Sequence, residues 1–517
     1  MTGRQYTEKL VASHVNSGTA LPAAALRRAA RGGRQLRTPK LHVELDDRLP
    51  ATCVGSIGLL LALWRRLDVA SIIDDRVSVL RRHKPYYESD HVLAQVLNLF
   101  SGGGCIEDQA ALQQDRAVLR MLGADRFPDP TTSGDFLRRF DDDVNPGALD
   151  GLRVAVDAVQ DEAWAMLRMK RRRRAKLGGW ALVDVDSHII PLTGNQKEGA
   201  DFSYTGKWSY HPLLVTLANT SEVLAVRNRP GNATSADGVE DLLDGQLPRV
   251  QGWFKKVLVR GDSGFDRAAL RAACARHGAH FAVVARRRKG WTAMAQAVPE
   301  ETWQSWAPPS RRRAEWRQAK RGFRPRRKGK DQRRQCALSR YYVTKWKDGQ
   351  WIAEVACRPT KKEAPCRLII IRELVRQTWS PNQPCLFESY GYRYILTDLP
   401  PEFSAGDVVD HTYQRCDQEN IIEQLKNELV MWRVPVREAA GNAAWLELGR
   451  LTWNLGKALS LIALPLKSVR WEWKRFRRAF VVVAAEVLHR SRQTWIRFNP
   501  SHRFIPDLIT AHARLGP

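Results

Sequence analysis

Acidic residues are in short supply: 55 Asp and Glu face 83 Lys and Arg across 517 residues, a surplus of 28 positive charges. That imbalance argues against an ordinary metabolic enzyme and for a polyanionic partner, nucleic acid first, because the surplus attracts phosphate and repels other copies of the chain. Paired cysteine motifs are missing as well. Cys53, Cys105, Cys274, Cys336, Cys357, Cys366, Cys385 and Cys416 are scattered without a C-x2-C spacing, which excludes a zinc ribbon or dithiol redox pair and reads as reduced cytosolic thiols. No stretch approaches the roughly 18 apolar residues of a membrane span. The N-terminal text MTGRQYTEKLVASHVNSG lacks the apolar stretch of a secretory signal, so a soluble cytoplasmic protein without a membrane partner is expected. Internal repeats are absent. What is present, 44% hydrophobic and 27% charged residues, excludes wholesale disorder, collagen-like and coiled-coil classes, and the length suits about three domains or one large core with an insertion.

The texture of the chain changes several times. Residues 1–45 are Arg/Ala/Gly-rich without a sustained period and predict a basic, partly mobile arm. Residues 46–177 read as short helices, with Gly123 as a helix stop and Thr132 or Ser133 as an N-cap; they form either a helix-turn-helix DNA reader or a helical support layer. Residues 178–285 begin with the strand GGWALVDVDSHIIP and a hairpin of 211–218 and 222–228. A helix capped by Ser235 or Asp237, a strand at 255–262, a helix and a further strand follow. An antiparallel meander finishing in βα units makes the class α/β with a mixed sheet. Residues 286–385 interrupt it. Within them, 310–334 holds 13 Lys or Arg and two acidic residues, alternating runs around Asp348-Gly349 predict a hairpin, and RLIIIRELV predicts a strand, so the insertion reads as β-rich. Residues 386–435 add a strand at 393–399 and a helical stretch from near Val409. Residues 436–517 read as helical, SVRWEWKRFRRAFVVVAAEVLHRSRQ included.

Three acidic positions carry the candidate chemistry. Asp184 and Asp186 lie two apart on one face of their strand, where a buried carboxylate is costly unless it is paired or binds metal. Asp262 ends a strand at Gly-Asp-Ser-Gly, where α/β sites commonly sit; taken singly, it reads first as a turn former or a cap of the helix that follows. In HTYQRCDQENIIEQLKNELV, helical geometry puts Arg415, Glu419 and Lys426 within roughly 60° of one another and Ile421 and Leu425 on another face. Taken alone, an Arg and a Glu four apart are more often a surface ion pair. His188, His211, His277, His280 and His411 show no metal spacing, and Trp445, Trp453, Trp471, Trp473 and Trp495 read mainly as helix packing.

The segments LVDVDSHIIPLTG, YTGKWSYHPLLV, RPGNATSADG and LVRGDSGFD, with the R-x3-E-x6-K spacing at Arg415, Glu419 and Lys426, resemble the cut-and-paste DDE transposases of bacterial insertion sequences over about residues 40 to 460. The resemblance implies a ribonuclease H-like mixed-sheet core interrupted by the β-rich insertion, between helical N-terminal and C-terminal regions. It implies Asp186, Asp262 and Glu419 as catalytic, metal-holding carboxylates; Asp186 is preferred to Asp184 because a small hydroxyl residue, Ser187, follows it. The separations, 76 residues from Asp186 to Asp262 and 157 from there to Glu419, leave room for the core elements and the insertion. Two Mg²⁺ ions about 3.5–4 Å apart, or Mn²⁺ in their place, would need several such hard oxygen ligands, one ion activating water or a 3′-hydroxyl and the other stabilising the leaving oxygen.

Arg415 and Lys426 are the expected phosphate contacts. Tyr413 joins them, one step after the family's usual Tyr position, held here by Thr412. Arg311, Arg312, Arg313, Arg326, Arg327 and Lys328, interleaved with Trp316 and Phe323, are expected to track DNA, although a charge run is also the usual look of a solvated face. The implied activity is binding of terminal inverted repeats, cleavage at the element's ends and joining of 3′-ends to target DNA by a nucleoid-associated homodimer in a synaptic complex. Two other readings stand beside it: a catalytically silent DNA-binding protein derived from a transposase, and a ribonuclease H-like nuclease without strand transfer.

Overall fold

The computed structural model describes residues 50–170, 178–307, 350–375 and 389–516. The expected basic arm, the arginines of 171–174, the basic run 310–334 with Arg311, Arg312, Arg313, Arg326, Arg327 and Lys328, and the first arm of the Asp348-Gly349 hairpin lie outside the described residues. A short strand, β1 (Ala51–Thr52), precedes seven helices: α1 (Ile57–Arg66), α2 (Val69–Asp74), α3 (Glu88–Ser101), α4 (Gln109–Gln114), α5 (Arg116–Leu122), α6 (Pro130–Arg138) and α7 (Ala148–Lys170). Caps explain where these break. Asp115 accepts the N–H groups of Ala117 and Val118 at the start of α5, and Gly123, at φ +64°, ends it. For α6 the cap is Asp129 rather than Thr132 or Ser133: its carboxylate accepts the Thr132 N–H, and Pro130 opens the helix, a position where a missing N–H costs nothing.

The core follows in the expected order: β2 (Gly178–Ser187); a small sheet of β3 (Ile190–Pro191), β4 (Asp201–Phe202) and β5 (Trp208–Tyr210); then β6 (Leu213–Leu217), β7 (Glu222–Arg227), α8 (Val239–Trp253), β8 (Phe254–Gly261), α9 (Ala268–Arg276) and β9 (His280–Ala285). Helix α8 starts on Gly238 in the left-handed region, without a side-chain cap from Ser235 or Asp237; Asp237 instead binds Thr234. Strand β2 pairs β6 antiparallel and β6 pairs β7 antiparallel, while β2–β8 and β8–β9 are parallel. A three-strand meander continued by two parallel strands on the far side of its first strand is the ribonuclease H-like arrangement, and the chain has that α/β fold.

The next strands enlarge this sheet. After α10 (Trp291–Gln296) come β10 (Gln304–Trp306), β11 (Gln350–Cys357), β12 (Cys366–Val375) and β13 (Ser389–Thr397). Strand β13 pairs antiparallel with β9, and β12, β11 and β10 follow outward, giving nine strands in the order β10-β11-β12-β13-β9-β8-β2-β6-β7. Alternation along β2 sets its two faces. Val183 and Val185 pack with Leu243, Leu247 and Val250 of α8 and Leu270 of α9. Trp180 and Leu182 turn the other way, toward Val408 and Val409 of α11 (Ala405–Tyr413). Asp184 and Asp186 share the parity of Leu182 and so face α11 and its successor α12 (Cys416–Asn427).

Helix α13 (Ala439–Ile462) is buried along almost its whole length. Its Arg450 donates to Glu447 and to Asp157 of α7, both at 2.6 Å, and Arg249 of α8 binds Asp161 of α7 at 3.0 Å, so ion pairs tie three helices around one interior. Beyond α13 the expected all-helical ending fails. Helix α14 (Trp473–Phe480) gives way to a hairpin of β14 (Ala485–Arg490) and β15 (Gln493–Phe498), and only then comes α15 (Ile505–Leu515). The turn residues Ser491 and Arg492 have φ of +50° and +62°, the twist that a two-residue hairpin needs, but without the Gly or Asn that usually announces it. Among the described residues no helix is long and apolar enough to cross a membrane.

Candidate active site

The two aspartates of β2 have different fates. Asp184 is fully buried and accepts both Nε and Nη2 of Arg260, its register partner on β8, at 2.6 and 2.7 Å. Arg260 also donates to the His411 carbonyl at 2.7 Å, which joins the strand to the end of α11. The charge of Asp184 is thereby committed to a fork pairing inside the protein. Asp186, one step nearer the strand end, keeps 16% of its side chain exposed and meets Arg415 at 3.0 Å. Burial pushes the Asp186 carboxyl above the usual carboxylate range, the Arg415 guanidinium pulls it back, and the Asp262 carboxylate pushes it up again.

Asp262 reaches the same place from β8. Val185 pairs with Gly261 in parallel register, so Asp186 and Asp262 follow matching positions on neighbouring strands. One oxygen of Asp262 accepts the Gly264 N–H at 2.7 Å, which folds Ser263–Phe265 into a 3-10 turn. Asp262 thus caps this short turn rather than α9, which starts after Arg267 without a side-chain cap, and its charge reaches Asp186. The turn is close-fitting, since a Cβ on Gly264 would stand 2.9 Å from Asp262 Oδ1 and 3.0 Å from Ser235 Cβ.

Helix α12 lies along this strand end. Arg415 precedes its first residue and turns its side chain to Asp186 instead of capping the helix, Gln418 donates to the Asp184 carbonyl at 3.1 Å, and Lys426 and Glu423 act on His188, whose imidazole burial pulls down to about 4. Glu419 sits one turn after Arg415 and one before Glu423, on the face they share, and is exposed. Among the described residues no three His, Cys, Asp or Glu side chains stand close enough together to hold a metal ion; the charge of Asp262 acts on Asp186 across the two strand ends. Tyr413 turns elsewhere, stacking on Trp306 at 5.7 Å beneath the Arg393 guanidinium, while Thr412 is buried and bonds the Val408 carbonyl.

Several neighbours of the site escaped sequence reasoning. His211 donates from Nδ1 to the Ala233 carbonyl at 2.9 Å, which leaves Nε2 to accept the Ser187 hydroxyl at 2.9 Å; burial lowers its pKa and keeps it neutral. Arg229 donates to the carbonyls of His211, Thr234, Ser235 and Asp237 and shapes the loop that rests on Gly264. The text YHP and RPG held these residues, but a lone His or Arg carries no spacing signal.

The family model of the transposase DDE domain, group 1, matches residues 54–516. The chain belongs to this DDE transposase family. None of the curated proteins compared with the transposase matches it. A solved structure similar to it is the cryo-EM structure of the piggyBac transposase synaptic complex with hairpin DNA, at 12% identity and a TM-score of 0.36, covering 81% of this chain and 78% of that one.

The donor chemistry of this DDE transposase suits a hard divalent cation. Two carboxylates at the ends of adjacent parallel strands, one raised by burial and further by the charge of the other, would be stabilised by a cation between them, and oxygen ligands are what Mg²⁺ and Mn²⁺ prefer.

Proposed function

We propose that this transposase cuts DNA at the ends of a mobile element and joins the freed 3′-ends to target DNA, with Asp186, Asp262 and Glu419 as the ligands of two divalent cations, Mg²⁺ or Mn²⁺. The observation that carries this reading is the convergence of Asp186 and Asp262 at the ends of β2 and β8 beneath α12. Cations held there supply activation of water or a 3′-hydroxyl and stabilisation of the leaving oxygen at a phosphodiester. The chain's own residues do the rest. Asp184, locked to Arg260, keeps β2 and α11 in place and takes no part in ligation. Arg415 balances Asp186 in the protein alone; once that carboxylate engages a cation, the guanidinium is left to bind a phosphate beside the cut as a two-pronged donor. Lys426, at the far end of the same helix, adds a point charge. His211 and Ser187 hold the backbone that aims Asp186. Two such sites act on the two ends of one element, so the working form is a dimer on duplex DNA.

A second reading, a DNA-binding protein that no longer cuts, draws on the exposure of Glu419 and on the lack, among the described residues, of three ligand side chains gathered in one place. One experiment separates them. A labelled duplex carrying the repeats that flank the gene is incubated with the purified chain and Mg²⁺ or EDTA, beside Asp262→Asn. Metal-dependent cutting at the repeat boundary, lost in the variant while binding persists, supports the transposase; binding without cutting under Mg²⁺ and Mn²⁺ supports the silent protein.

A further inference from the structure

The hairpin that replaces the expected C-terminal helix has no part in the carboxylate site. Its distal half, His489 to Thr494, is exposed, whereas Val487 and the inner residues Ile496 and Phe498 pack back on the protein. Strand β1 covers only its root, pairing at Glu486 and Ala485. The register places Leu488 opposite Trp495 and Arg490 opposite Gln493, so by alternation all four share the outer face. Trp495 is 56% exposed there. Residues 471–503 hold eight Lys or Arg and two Glu, and one of those, Glu486, is taken by Arg497 at 2.8 Å. Among the described residues Arg490 and Arg492 have no ion-pair partner. Arg492 also occupies a left-handed turn position, φ +62°, which a side chain adopts at a cost that Gly would avoid.

At the root of the hairpin the charge continues. Helix α14 buries Trp473, Phe476 and Phe480 and exposes Lys474, Arg475 and Arg478. These three cations line a cavity of about 290 Å³ with Glu472, Ala479 and Phe504. Phe504 lies against Trp471 and Phe480 at 5.6 and 5.3 Å, so the chain leaving β15 closes one wall of it.

We infer that the β14–β15 ribbon and the outer face of α14 form a DNA-contact surface separate from the carboxylate site, gripping duplex phosphates and laying the ribbon in a groove. The inference rests on the reading that DNA is the substrate. A two-stranded ribbon fits the major groove of B-DNA, about 12 Å wide; Arg490 and Arg492 at its tip meet phosphates, Trp495 lies against the groove wall, and the α14 cavity takes a further phosphate. The occupant is duplex DNA because the surface is cationic, with Glu472 at its margin the one acid there without an ion pair among the described residues, and phosphate contacts are what such a surface binds.

The test is the salt dependence of duplex binding by the full chain, read by fluorescence anisotropy. Arg492→Gly removes a charge from the tip while giving the turn the residue it favours. It should leave the unfolding temperature unchanged or higher and lower the slope of log affinity against log salt by about 0.9, as expected for one lost phosphate contact. Arg490→Ala with Arg492→Gly should lower it by about twice that, and Lys474→Ala, Arg475→Ala and Arg478→Ala together should lower it again, while Asp262→Asn keeps the parent slope. Unchanged slopes in the ribbon variants overturn the surface. So does a change in self-association at constant slope, which would make a second copy the occupant. A parent chain that binds no duplex at all refutes the proposed function instead, and with it this inference.

Discussion

Arg415 Nη1 stands 3.0 Å from Asp186 Oδ2, with both side chains less than a fifth exposed. One guanidinium from the start of α12 therefore balances the carboxylate that burial at the end of β2 makes expensive to ionise.

Removing that guanidinium should expose the cost. Arg415→Ala is expected to lose about 1–3 kcal/mol at pH 7, the usual penalty for a buried group left without its partner. The sign follows from the raised Asp186 carboxyl: such a group favours the fold below its unfolded value, near 4, and loses that contribution as pH rises through the folded one. The deficit should shrink toward pH 4, and Asp186→Asn should restore most of it. Urea unfolding at both pH values checks this; an equal deficit at each would rule the pairing out as its source.

Gly264→Ala tests the turn that holds Asp262. Its Cβ would meet Asp262 Oδ1 at 2.9 Å, and the carboxylate must shift to admit it. Cleavage should fall by roughly 100-fold, the scale of an ångström-sized misplacement, with DNA binding retained. A variant that cuts at the parent rate would show that Asp262 needs no such placement.

Much of this was legible beforehand, and the reasons differ by element. The meander and βα units announce themselves because alternating β-branched residues in ALVDVDS and KKVLVRGD, closed by Gly and Pro, have few other folds to adopt. Asp184 and Asp186 are indistinguishable by pattern, since both sit on one face of one strand. What separates them is Arg260, 76 residues from Asp184 in sequence and joined to it only by the β2–β8 register. The C-terminal ribbon was missed because its turn uses Ser491 and Arg492, whose left-handed conformations no composition rule flags. Apolar text such as VVVAAEVL fits a helix equally well until its partner strand is known.

The interior ion network makes a stability prediction. Arg450 is about 1% exposed and bonds Glu447, Asp157 and the Leu224 and Arg153 carbonyls. Arg450→Met would take from the buried Glu447 and the partly buried Asp157 their closest cation, leaving Arg153 at 3.7 Å and Arg249 at 3.5 Å, and removing one member of a buried pair costs about 3–5 kcal/mol. Denaturant unfolding should show a loss of that order; a loss under 1 kcal/mol would mean that water reaches the network.

Acid should destabilise the N-terminal helices through His91. Burial lowers its imidazole to about 4, and the ring stacks on Phe136 at 4.6 Å. A depressed pKa contributes stability above the unfolded value, near 6.5, that is lost as pH falls toward 4, because only the unfolded chain takes the proton there; the effect is on the order of 3 kcal/mol. His91→Phe keeps the stacking and removes the titration. Its unfolding temperature should fall less steeply between pH 6.5 and 4 than that of the parent, and parallel curves would assign the acid sensitivity elsewhere.

The pairing of β13 with β9 has a consequence for how the core could be isolated. In a five-strand sheet β9 would be the last strand, and its text HFAVVA would present an apolar row of unpaired N–H and C=O groups, the kind of edge that recruits other chains. Here Ala282 to Ala285 are sealed by Thr397 to Tyr394. A minimal core made by excising residues 286–397 would therefore expose an adhesive border, and it should precipitate or fibrillise rather than yield a small soluble nuclease.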